Sequence, residues 1–308
     1  MKNNLTAIIA ISITCFFWGI SYMSSKVALT VFTPWTLAFT RFFIASIALF
    51  ILFVFTGKAQ KIKIKDVPRF ASAGIIGVAL YFTFENNGIK LTSASLASMI
   101  IGSVPVFGLV GDCIINKAKL TARKTVSVLL SLIGVFLIVC GNSSGVDFSG
   151  HFLGYIFMFG AAISWVTANF VIKPLYENYS GLTITFYQIL FGTIALAPFA
   201  IANFPKEGVF EGVILGNVLF LGLCCSAAAY FLYIFALNRL GIMITVLFVN
   251  FVPVITVISS FFFLHETVTT IQLAGGIIVI FSVCLLTLRN NGEKAKDEAS
   301  KDQNLSFE

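Results

Sequence analysis

Apolar residues set the pattern of this chain. From Leu5 onward they come in long runs that show no polar helix face, separated by short polar gaps. Runs of about 17 to 25 apolar residues are long enough to cross a bilayer as helices. Ten such runs are predicted: 5–25, 34–56, 68–88, 94–115, 124–141, 152–172, 182–203, 213–237, 242–264 and 268–288. The gaps carry the punctuation: "TGKAQKIKIKDVP", "NKAKLTAR", "GNSSGVDFSG" and "FPKEG". Period-2 alternation is absent, which argues against a β-barrel. The first run has one Lys ahead of it and no clear small-x-small cleavage site behind it, so it reads as a retained helix. After Leu288 the sequence turns polar and mixed in charge, and residues 289–308 read as a disordered cytoplasmic tail.

Composition agrees with a bilayer as solvent. Apolar residues make up 58% of the chain and charged residues 11%, with mean hydropathy +0.98, whereas soluble domains carry about 25% charge. The net charge of +7 does not point to nucleic acid, because the basic residues gather on no single face. They sit in the gaps, where they report orientation. With the N-terminus inside, the inner segments hold Lys2, the 58–69 group of five, the 117–124 group of four, Lys173, Arg239 and four in the tail. The outer ends hold only Lys26, Lys90 and Lys206. Both termini are therefore expected in the cytoplasm of a cell bearing this protein in its plasma (inner) membrane.

The chain also repeats itself. "WGISYMSSK" (Trp18 to Lys26) has the outline of "WVTANFVIK" (Trp165 to Lys173), 147 residues on. Tyr81-Phe82 matches Tyr230-Phe231, Lys90-Leu91 matches Arg239-Leu240, Pro105-Val106 matches Pro253-Val254, and Thr121 matches Thr269. The reading is an all-α integral membrane protein of ten transmembrane helices in two five-helix repeats, 1–141 and 152–288. Five is odd, so the second copy inserts upside down relative to the first. Inverted repeats recur in secondary transporters, where two halves rock around a midplane site; they also occur in channels.

On these residues the chain resembles the EamA family of the drug/metabolite transporter superfamily. The resemblance rests on "WGISYMSSKVAL", "TPWTLAFTRF" and "NNGIKLTSASLASMIIGSVPVFGLV" in the first half. In the second half it rests on "YFLYIFALNRLG", "NFVPVITVISSFFFLHETVT" and Gly275-Gly276. It implies a duplicated five-helix unit, a central cavity lined mainly by spans 1, 3, 4, 6, 8 and 9, and movement of small metabolites, often outward. One departure stands out. The family usually has Gly-Glu or a similar acidic pair after the fourth and ninth spans; the second half here has His265-Glu266, but the first has Ala118 in place of the acid.

Ionisable groups inside spans are functional candidates, because hydrocarbon offers them no partner. Arg41 and Glu85 both lie towards the outer side of spans two and three. They could pair with each other, or contact substrate, and Glu85 could carry a coupling proton. Their repeat partners, Gln188 and Ile234, are uncharged. Asp112 reads as an interfacial charge. Trp18 and Tyr22 share a helix face, with Trp165 and Asn169 as their repeat partners. The candidate cavity is Trp18, Tyr22, Arg41, Tyr81, Glu85, Asn169, Gln188, Tyr230 and Asn250, with Pro105 and Pro253 as helix-interrupting residues at matched positions. Each aromatic taken singly is more often packing than binding.

Other chemistries find no support. The six cysteines lie inside apolar runs without CxxC spacing, away from His151 and His265, and read as packing residues. No metal site, cofactor or disulfide framework is expected. There is no HExxH, GxSxG or Walker A motif, so no enzyme activity is expected. The expected partners are the lipid bilayer, a small-molecule metabolite with an amino acid as leading choice, and protons as a possible coupling ion, with no nucleic acid. The rival reading is a membrane-embedded enzyme or scaffold that shares the topology without moving solute.

Overall fold

A computed structural model describes residues 2–55, 60–115, 117, 121–140, 151–249 and 251–287. The expected tail at 289–308, Ala118, Asn250 and the side chain of Asp112 lie outside the described residues. The regular structure of the described residues is all helical, and no strand occurs among them. The chain runs α1 (Lys2–Ala28), α2 (Pro34–Phe55), α3 (Val67–Gly74), α4 (Tyr81–Leu91), α5 (Ala94–Ile101), α6 (Val104–Ile115) and α7 (Ala122–Cys140). It continues as α8 (His151–Ile172), α9 (Gly181–Ala202), α10 (Gly212–Leu219), α11 (Ala229–Val249), α12 (Val252–Leu264) and α13 (Thr270–Thr287). Seven helical segments are long and apolar enough to cross a membrane, and Val252–Leu264 and Thr270–Leu285 are apolar but shorter. The run expected at 242–264 does not form one helix. α11 continues through Gly241 to Val249, and a new helix starts at Val252, where Pro253 occupies the first turn and needs no N–H partner.

Several local features recur at the spacing of the sequence repeat. α3 and α4 are joined by a π-helical segment, Ile75–Leu80, and α10 and α11 by another, Phe220–Ala228. Both end just before the matched tyrosines. A π-turn leaves carbonyls poorly placed for α-type bonding, and a side chain from elsewhere meets one in each. The Trp18 indole N–H donates to the Cys225 carbonyl at 3.1 Å, and the Ser164 hydroxyl donates to the Ile76 carbonyl. Helix starts recur too. Thr33 and Thr36 share a hydroxyl contact of 3.0 Å at the head of α2, as Ser180 and Thr183 do at 2.9 Å at the head of α9. Among the described residues, the non-glycine residues with left-handed backbone are Lys117 (φ 52°) and His265 (φ 55°). Where the repeat matches the acidic pair, the chain adopts the conformation that favours glycine.

Packing is between apolar helices, so shape decides it. α1 lies along α11 and α12, α8 along α4, α2 along α9, and α7 along α13. At the last crossing Gly134 and Gly275 face one another: a Cβ on Gly134 would sit 2.7 Å from the Gly275 carbonyl oxygen, and one on Gly275 would sit 2.6 Å from that of Gly134. Small residues at such crossings let backbones approach and gain dispersion contacts. Gly216 on α10 has nothing within 4 Å of its added Cβ. Gly275→Val is therefore expected to destabilise the protein by about 1–3 kcal/mol, the usual cost of overpacking. Gly216→Ala should hold or raise stability. Thermal unfolding in detergent checks both.

Candidate functional site

The helix breaks line a cavity of about 990 Å³, to which the helices that follow the π-segments also contribute. α1 contributes Trp18, Ser21 and Tyr22, and α2 contributes Arg41. α4 contributes Tyr81, Phe82 and Glu85, α8 contributes Trp165 and Asn169, and the 3-10 turn just past α8 contributes Lys173. α11 adds Tyr230 and Tyr233. The two broken helices supply Ser98, Gly102 and Pro105 on one side and Val252 and Pro253 on the other. Pro105 and Pro253 each follow a break: Gly102 and Ser103 form a turn before α6, and Phe251 forms one before α12.

The cavity has a wet end and a closed end. Its exposed lining residues, Asn169, Lys173 and Tyr176, cluster at the C-terminal end of α8 and form the mouth. Tyr22, Arg41, Glu85 and Ser98 lie buried at the opposite end.

Two aromatic walls flank the space. Trp18 packs on Tyr230 and Tyr233 with ring centroids 5.6 and 5.3 Å apart. Trp165 packs on Tyr81 at 5.1 Å. Each wall joins the tryptophan of one repeat motif to the tyrosine that follows the other half's π-segment.

The two charges at the closed end are held by different partners. Glu85 is 6% exposed and accepts a 2.8 Å hydrogen bond from the Tyr81 hydroxyl; Tyr22 faces the same carboxyl group. Arg41 is 2% exposed. Its Nε donates to the Ser226 hydroxyl at 3.0 Å, and its guanidinium lies 4.7 Å from the Phe82 ring centroid. Among the described residues no ion pair joins Arg41 to Glu85. Buried charges of opposite sign usually meet. Here Ser226 and the Phe82 face hold the guanidinium while tyrosine hydroxyls hold the carboxyl group. The arrangement leaves an acceptor group and a donor group addressed to one cavity.

Seven of the residues read from the sequence line this space: Trp18, Tyr22, Arg41, Tyr81, Glu85, Asn169 and Tyr230. Gln188 does not. Its amide fills the room left by Gly77, where a Cβ would sit 2.7 Å from Nε2, and it reaches the Ala73 carbonyl at 3.5 Å. Lys173, Tyr176, Tyr233 and Ser98 were not singled out as cavity residues. The signal for Tyr233 was its place one turn after Tyr230, and that for Lys173 was its place two turns after Trp165.

Comparison with known proteins follows this geometry. The model of the EamA-like transporter family matches residues 5–140 and again 152–288. The chain is 28% identical to an uncharacterized transporter of Archaeoglobus fulgidus, over 90% of this chain and 97% of that protein. It is 26% identical to the uncharacterized transporter YdfC of Bacillus subtilis, over 94% of each. It is 25% identical to a probable terminal-alkyne amino-acid exporter of Streptantibioticus cattleyicolor, over 94% and 95%. A solved protein structure shares the fold with TM-score 0.66 at 16% identity, covering 93% of this chain and 96% of its own.

Tyr81→Phe removes the hydroxyl that donates to Glu85 and is expected to cost about 1–3 kcal/mol, the scale of stripping a buried polar group of its partner. Asn169→Ala, at the exposed rim, should stay within about 0.5 kcal/mol of wild type. Thermal unfolding of the purified variants measures the contrast.

Proposed function

The chain belongs to the EamA-like transporter family, and from that premise we propose that it carries small, amino-acid-like metabolites across the plasma (inner) membrane by alternating access. In this reading residues 1–141 and 152–288 are two five-helix units, ten spans in all, inserted in opposite senses with both termini in the cytoplasm. The double family match and the recurring π-segments, caps and left-handed residues support the duplication. By the charge distribution the mouth at Lys173 opens to the cytoplasm, so substrate loads from within the cell.

The observation that carries the substrate class is the separated Arg41 and Glu85 in one aromatic-walled cavity. A zwitterion brings a carboxylate to the guanidinium and an ammonium to the carboxyl group, and it satisfies both without leaving net buried charge. The tryptophan and tyrosine faces then take the substrate's apolar part. The relative named as a probable amino-acid exporter supports the same class. A proton on Glu85 is the coupling ion favoured by its place in the cavity.

Liposomes loaded with the purified protein are expected to exchange labelled amino acids. Arg41→Gln should cut exchange about tenfold or more, the scale of one lost hydrogen bond to a charged group. If the two charges were a structural pair, Arg41→Gln would instead lower stability, and adding Glu85→Gln would restore stability and flux together. Glu85→Gln alone should abolish flux driven by a pH gradient and, because the same carboxyl group takes the substrate ammonium, weaken passive exchange as Arg41→Gln does. Absence of flux across a broad metabolite panel would favour the enzyme or scaffold reading.

The tryptophans give an independent check. Trp18→Ala and Trp165→Ala should each slow exchange far more than Phe281→Ala on the exposed side of α13. Equal, mild effects would make the tryptophans bilayer anchors.

A further inference from the structure

Beyond the closed end of the cavity, two charged side chains outside its lining bind neighbouring helix ends. Three helices leave the buried end: α1 from Tyr22, α4 from Glu85 and α5 from Ser98. About one turn further along each, roughly 6 Å at 1.5 Å per residue, they are tied together. The Lys26 ammonium on α1 donates to the Ile89 carbonyl at 2.7 Å, to the Lys90 carbonyl at 3.3 Å and, at short range, to the Thr92 carbonyl. These are the orphan carbonyls at the end of α4, where a cation is favoured. Glu266, just past α12, takes the opposite terminus. Its carboxylate accepts from the Ala94 N–H at 2.9 Å, the Ser95 N–H at 3.1 Å and the Ser95 hydroxyl at 2.8 Å, capping the start of α5. Lys26 and Glu266 also lie close enough for their charges to interact. The left-handed His265 ends α12 and turns the chain so that Glu266 reaches across.

The mouth has no such tie. Lys173 is the repeat counterpart of Lys26. It is exposed, lines the cavity and has no hydrogen-bond partner among the described residues. The counterpart of the α4–α5 junction falls near 238–243, inside the unbroken α11, so no helix end is on offer there. In sequence the counterpart of Glu266 is Ala118.

We infer that Lys26 and Glu266 form a latch that holds the cavity shut on the face opposite its mouth, and that the protein carries this latch on one face only. The mouth-open state is then the resting state, and exposing the cavity to the other face requires breaking the lysine–carbonyl and glutamate–amide bonds together. This inference rests on the alternating-access reading. α1 and α12, which pack on each other, would move as one body away from the α4–α5 junction. A structural cap would stabilise only its own helix end, whereas a latch couples the two faces.

Hydrogen exchange read by mass spectrometry on the full protein in detergent separates these cases. Lys26→Gln and Glu266→Gln are each expected to speed amide exchange across 89–98 by about tenfold or more, the scale of a lost charged hydrogen bond. Each should also slow exchange at the mouth, across 173–179, as the population shifts to the state closed there. Lys26→Arg, which can still bond the three carbonyls, should leave both segments as in wild type. Should Glu266→Gln fail to fold, Glu266→Asp shortens the same reach and is read in the same way. Faster exchange confined to 89–98, with the mouth unchanged, would overturn the latch and leave two helix caps. No change at either segment would overturn it as well. Flux is measured on the same proteins reconstituted into liposomes: wild type without flux would sink the transport reading while the exchange data still judge the latch.

Discussion

Hydrocarbon offers no hydrogen bonds, so every backbone group released from helical pairing inside the membrane must find a partner in the protein. The molecule is organised around the places where its helices depart from regular pairing. Two broken helices line the cavity, two π-segments precede the tyrosines that face it, and side chains from distant parts of the chain meet the groups they release. Trp18 takes the Cys225 carbonyl, Ser164 takes that of Ile76, Lys26 takes the end of α4, and Glu266 takes the start of α5. Of these partners Trp18 also lines the cavity, and Lys26 and Glu266 lie just beyond its buried end.

Much of this was legible in the sequence, for physical reasons. Apolar runs must be helical in a bilayer, so the helices could be read from hydropathy. Pro105 and Pro253 lack an N–H, so breaks near them were expected, and Arg41 and Glu85 drew attention because charge is costly in hydrocarbon. What stayed hidden has an equally physical cause. "IIGVAL" and "FLGLCCSAA" hold no proline or charge, so nothing local marks them as π-helical; the extra residue is tolerated because partners far away in sequence meet it. "LNRLG" reads as a loop, yet α11 runs through it, since a single glycine weakens a helix without ending it. Gln188 was placed in the cavity by matching it to Arg41. Repeat alignment gives a residue's level in the fold, but the vacancy left by Gly77 drew its side chain aside.

The matched positions of the two halves agree in their aromatic residues and differ where buried charge is concerned. The aromatic walls remain matched: a tryptophan on α1 against Tyr230, another on α8 against Tyr81. Arg41, Glu85 and Glu266 are not matched, the first two coming from the first half and the third from the second, although Lys26 and Lys173 stand at matched positions. A packing contact between uncharged surfaces works equally well on either side of a membrane. A buried charge works only against its own partner, so a match in one half sets no demand on the other.

The π-segments have a consequence for aim. Successive residues on an α-helix are turned by about 100° from one another. Ile75–Leu80 and Phe220–Ala228 stand between a helix anchored at one end and the tyrosines at the other. α3 is fixed by Gly74, packed against Gln188 and Gly192 of α9. Removing one residue from 75–80 would leave that anchor in place and swing Tyr81 and Glu85 together by roughly a quarter turn, away from the cavity and towards neighbouring helices. The widened turn is a sighting adjustment: it sets the bearing of everything downstream while leaving the mount untouched.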